Sequence, residues 1–160
     1  MLRALPILAL TLAACGGGYQ ADAFQTGMIW GGQRFEGTRL SHGCLDIALR
    51  AQEQFEGDPT IDVSIGNRCP EALHVNLGKL RIRGLFDGEA PKLLTLFDPN
   101  DEIGSALLGG KAAASERLEV FGAHGAYELC VSVDAIVAAR NSGPPQETCI
   151  FVEPIMEARS

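Results

Sequence analysis

The sequence lacks the signatures by which many enzymes are recognised. It has no Cys-x-x-Cys, no His-Glu-x-x-His and no Gly-x-Ser-x-Gly. Those absences exclude a zinc-ribbon or thioredoxin-like spacing, a zincin helix and a hydrolase nucleophile elbow. Aromatic residues make up 6% of the chain, and the one tryptophan, Trp30, precedes Cys44, so the Cys…Trp…Cys order of antibody domains is missing. Positive charge is also short: 13 Lys and Arg stand against 20 Asp and Glu, for a net charge of −7. Such a balance argues against nucleic acid or an anionic surface as the main partner. No apolar run is long enough to span a bilayer, since Ala4 to Leu12 falls well short of a membrane helix.

That short run is nevertheless informative. Arg3 precedes it, and it ends in Leu12-Ala13-Ala14-Cys15-Gly16. A positive start, a short apolar stretch and small residues before a cut are the layout of an export signal. The four residues at its end resemble the lipobox of bacterial lipoproteins. In that family the cysteine thiol carries a diacylglycerol and the signal is removed just before it. The resemblance implies a signal peptide over 1–14 and Cys15 as the lipidated mature N-terminus, with the membrane as partner. Gly16, rather than Asp, implies sorting to the outer membrane. Each buried CH₂ contributes about 0.8 kcal/mol, and stable attachment needs more than one chain, which a multiply acylated cysteine supplies. Residues 15–40, rich in Gly and Gln, read as a flexible tether, with Phe24, Met28, Ile29 and Trp30 as apolar exceptions able to dock as a partial strand. The folded domain is expected over 41–160.

Four cysteines remain after Cys15: Cys44, Cys69, Cys130 and Cys149. An even number in an exported chain reads as two disulfides, for which three pairings exist. Candidate hairpins favour Cys44–Cys69 and Cys130–Cys149. The second pairing needs only a simple register across the turn signal Asn141-Ser142-Gly143-Pro144-Pro145. The first needs a bulge or a turn at Gly66-Asn67-Arg68, because Cys44 otherwise falls on the wrong face.

Strand signals recur along the domain. Leu45, Ile47 and Leu49 alternate with Asp46, Ala48 and Arg50, although residues 44–54 also fit helical spacing. Glu56-Gly57-Asp58-Pro59 marks a turn, and Ile61, Val63 and Ile65 then alternate cleanly. Further runs lie at Leu73–Leu77, Leu80–Arg83, Lys92–Phe97, Ile103–Leu108 and Leu118–Phe121, and Lys111 to Leu118 reads as a helical turn or two. About seven or eight short antiparallel strands imply an all-β fold, and an immunoglobulin-like β-sandwich is the expected form. The run from Ile65 to Ile82, with Leu96-Phe-Asp-Pro-Asn-Asp-Glu102, resembles small Gram-negative envelope lipoproteins. That likeness would cover about Cys44 to Val152 and implies a β-rich envelope domain without an assigned activity.

Three candidates for chemistry stand out. Ser41, His42 and Asp46 offer triad residue types, but nearness in sequence does not supply triad geometry. His42 and His124 are loop histidines on which an accessory hydrolase could rest. Asp98, Asn100 and Glu102 offer hard oxygen ligands for calcium in a surface or adhesion domain, although a polar turn explains the same residues. No catalytic residue and no cofactor is assigned. The expected role is a non-enzymatic, lipid-anchored binding or structural module of the cell envelope, with an envelope protein as a further partner.

Overall fold

The computed structural model describes residues 18–27, 29–30, 33–97, 105–137 and 146–154. The strands are β1 (Ile29–Trp30), β2 (Gln33–Arg34), β3 (Thr38–His42), β4 (Leu45–Gln52), β5 (Thr60–Asn67), β6 (Leu73–Asn76), β7 (Arg81–Leu85), β8 (Lys92–Phe97), β9 (Ser105–Leu108), β10 (Ala113–Phe121), β11 (Glu128–Ser132) and β12 (Glu147–Glu153). One short helix, α1 (Ala21–Thr26), precedes them. The all-β expectation therefore holds. The architecture differs from two facing sheets. The ladder runs β12-β11-β7-β8-β10-β5-β4, and β12 then pairs with β4 to close a barrel-like ring of seven strands. Seven strands cannot close with antiparallel neighbours throughout, because direction must alternate around the ring. The one parallel pairing, Val152↔Ala51 and Glu153↔Gln52, resolves that parity. An immunoglobulin-like sandwich is not supported at this level.

Alternation along the strands fills the ring. Ile47, Leu49, Ile61, Val63, Ile82, Val120, Leu129, Val131 and Ile150 are all buried in one cluster. Each such side chain contributes about 1.5–3 kcal/mol on leaving water. The β6–β9 ladder and a Val75↔Val137 bridge cover one end, called here the lower end. That end also holds the start of β4, the end of β5 and the start of β10. Loops 53–59, 86–91 and 122–127 form the upper end.

One expectation is settled and two are revised here. Residues 45–52 are strand, and the helical alternative arose because both faces are buried: odd positions fill the ring, while Asp46 and Ala48 lie beneath residues that precede β3. Lys111 to Leu118 is not helical. Ala113 to Glu119 pair residue for residue with Gly66 to Thr60, and tertiary pairing overrides helix propensity that is good but weak. Within the tether expected over 15–40, described residues pack on the domain. Tyr19 is 3% exposed and Phe35 fully buried, and together they clasp Ala48, with Phe24 edge-on to Phe35. Of the apolar exceptions there, Ile29 and Trp30 pair with Arg34 and Gln33, while Met28 lies outside the described residues.

Both favoured disulfides are formed. Cys130 and Cys149 are direct register partners in the β11–β12 hairpin. Cys44–Cys69 is reached through a turn. Leu45 pairs with Asn67, the Arg68 amide donates to the Cys44 carbonyl at 2.8 Å, and Asn67 then bends the chain by accepting the Cys69 amide at 2.9 Å. Asn67 is fully buried and its own amide serves the carbonyls of Glu71, Leu108 and Gly109.

Candidate functional site: a charged groove on the sheet and a carboxylate beneath Tyr19

The outer face of β4, β5 and β10 carries a row of paired charges. Register sets Arg50, Asp62 and Arg117 directly opposite one another on three neighbouring strands. Arg117 grips Asp62 with two bonds, Nε to Oδ1 at 2.6 Å and Nη2 to Oδ2 at 3.0 Å. Arg50 donates from Nε and Nη2 to Glu153 Oε2 at 2.9 and 2.6 Å and from Nη1 to Glu36 Oε2 at 3.2 Å. Arg34 reaches the other Glu36 oxygen at 3.2 Å. Arg34, Glu36, Arg50, Asp62 and Arg117, with Gln52, Ser64, Ser115 and Glu116, line a groove of about 440 Å³. The hydrogen bond from Arg50 holds the Glu153 carboxyl below its ordinary range, and bonds to Glu153 and Asp62 raise the two guanidinium groups. A rigid row of alternating charge with flanking hydroxyls and amides can recognise a polar partner of mixed charge. In the sequence pattern Arg50 and Asp62 are marked only as positions between the alternating apolar residues of two strands. The signal lay in the register, which the pattern does not give across non-adjacent strands.

The second feature is a buried carboxylate. Asp46 is 2% exposed and lies opposite Ser41 in the β3–β4 ladder. It accepts from Ser41 Oγ at 2.7 Å, from Tyr19 Oη at 2.9 Å and from Arg68 Nε at 3.0 Å. Burial, then the bond to Asp46, push the Tyr19 hydroxyl above its usual range. Of the three triad types, Ser41 and Asp46 thus meet, but His42 does not join them. Successive strand residues point to opposite faces, and His42 is fully buried with neither ring nitrogen hydrogen-bonded.

The remaining candidates are dispersed. His124 is exposed at the upper end, where Asp58 accepts the backbone amides of Gly122 and His124 at 2.9 and 2.8 Å. The cleft there is lined by Glu53, Gln54, Gly57, Pro59, Ala123, His124, Gly125, Ala126 and Val152, a set without Ser, Thr or Cys. His74 is exposed on β6. Arg83, on the outer face of β7, is ion-paired with Glu147. Glu128 clusters with Cys130 and Cys149, whose sulfurs are already bonded to each other. Asp98, Asn100, Glu102 and Cys15, the cysteine expected to carry lipid, lie outside the described residues. Among the described residues no helix is long and apolar enough to cross a membrane.

No family model, no curated protein and no solved structure matches this chain.

Proposed function

We propose that the protein is a non-enzymatic binding or structural module of the bacterial cell envelope, held to the membrane by lipid on Cys15 and contacting its partner through the charged groove on β4, β5 and β10. The observation that carries the binding half of this reading is the Arg50–Asp62–Arg117 row, with Glu36 and Glu153 beside it, displayed on a closed and disulfide-bonded sheet. Two disulfides support export, because such bonds persist in oxidising compartments. The separation of His42 from the Ser41–Asp46 pair weighs against a hydrolase built on those three residues.

Two measurements test the reading. Expression in a Gram-negative host with labelled palmitate should label the wild type and leave Cys15→Ser unlabelled and soluble. A photocrosslinking residue in place of Glu116, at the groove, should capture one discrete envelope partner, and Arg50→Ala with Arg117→Ala should abolish that capture. An unlabelled wild type rejects the anchor. Capture that survives the double substitution rejects the groove.

A further inference from the structure

The chain rejoins the fold very close to its lipid site. Gly18 is three residues after Cys15, and Tyr19 is already pinned. Its backbone amide donates to the Lys111 carbonyl and its hydroxyl to buried Asp46. Its ring lies flat on Gly66, where a Cβ would come within 2.1 Å of Tyr19 Cζ, so only glycine admits it. Every one of these partners belongs to the lower end of the barrel: Asp46 near the start of β4, Gly66 near the end of β5, Lys111 just before β10.

Three residues span at most about 11 Å. By contrast, the eight-residue β4 is about 25 Å long at some 3.3 Å per residue. A leash that short cannot let the upper loops turn toward the surface that holds the lipid. Charge acts in the same direction. The upper loops 53–59, 86–91 and 122–127 carry Glu53, Glu56, Asp58, Asp87 and Glu89 and no Lys or Arg. Arg68 and Lys111, in contrast, line the cleft from which Gly18 and Tyr19 emerge. An anionic leaflet attracts such cations and repels the acids within a Debye length.

We infer that Tyr19 acts as a latch that sets the barrel lower end down on the lipid headgroups, with Arg68 and Lys111 toward the bilayer and the acidic upper loops facing away. This rests on the lipid anchor at Cys15 proposed above. If the latch opens, the next buried side chain among the described residues is Phe35, and a leash reaching to it lengthens from three residues to about twenty.

The test uses the full-length lipoprotein in vesicles of phosphatidylethanolamine and phosphatidylglycerol. A benzophenone side chain replaces Gln20 or Glu71 at the lower end, or Glu56 or Glu89 at the upper end, and lipid adducts are counted by mass spectrometry. The lower positions are expected to yield several-fold more adduct. Tyr19→Ala, verified as folded by its melting transition, is expected to shrink that difference, and Tyr19→Phe, which keeps the ring, to preserve most of it. Equal yields at the two ends, as from a domain lying on its side, or higher yields at the upper end, overturn the orientation. Absence of an acylated N-terminal peptide, with protein lost from the vesicles, instead overturns the anchor itself.

Discussion

Tyr19 Oη donates to Asp46 Oδ2 at 2.9 Å across twenty-seven residues of sequence, in a site where the carboxylate is 2% exposed. A buried carboxylate is costly unless its oxygens are paired, and here Tyr19, Ser41 and Arg68 share the task. Tyr19→Phe keeps the ring on Gly66 and removes one donor. It should destabilise the fold by about 1.5 kcal/mol, the usual scale for a bond to a charged group, measured by urea unfolding. A loss below about 0.5 kcal/mol would mean that Ser41 and Arg68 suffice.

Asn67→Ala should be more severe. It strips donors from the carbonyls of Glu71, Leu108 and Gly109 and the acceptor from the Cys69 amide. A fully buried orphan costs about 1–3 kcal/mol, but these four groups belong to exposed or half-buried residues that water can partly serve, so a total of about 3 kcal/mol is expected. Because Asn67 bends the chain toward Cys44, the variant should also form Cys44–Cys69 more slowly during oxidative refolding, followed by mass mapping of trapped thiols. Unchanged disulfide kinetics would separate the turn from the pairing.

His42→Leu is expected to be neutral or to stabilise by up to about 1 kcal/mol, because it replaces two unpaired buried nitrogens with apolar surface of similar size. A loss above about 2 kcal/mol in chemical denaturation would show that the imidazole makes an interaction essential to the native packing.

The Glu153–Arg50 pair sets a small acid dependence. The folded-state carboxyl titrates below its ordinary value, so its contribution is present above that value and is lost as pH falls through the lower, folded one. The Glu153 side chain is 46% exposed, which limits the effect to about 0.5 kcal/mol. The melting temperature of Glu153→Gln should therefore lie slightly below wild type at neutral pH and converge with it below about pH 4. A gap that persists at pH 3 would assign the loss to packing rather than charge.

Removing a disulfide tests the ring from its lower end. Cys44→Ser with Cys69→Ser opens a loop of 25 residues and should cost about 3 kcal/mol by thermal or urea unfolding. No change would mean that the hairpin ladder alone holds that loop closed.

Much of the fold was legible in the residues. The clean alternation of Ile61, Val63 and Ile65 specified β5, and even spacing with hairpin signals brought Cys130 opposite Cys149. Period-two patterning reports one buried face, and that is a local property. It failed where burial was two-sided or pairing was remote. Both faces of β4 are covered, so its pattern blurred toward a helix. The run Lys111 to Leu118 has the composition of a helix, yet from Ala113 it lies in a long ladder with β5.

Sequence alone established an all-β chain, located most of the longer strands and favoured the disulfide pairing that is found, although it implied about seven or eight strands where twelve form among the described residues. Closure of the ring, the Arg50–Asp62–Arg117 row and the docking of Tyr19 onto Gly66 were decided only in three dimensions. Each depends on which distant strands become neighbours and in what register, and a chain's local pattern carries that information only within a hairpin.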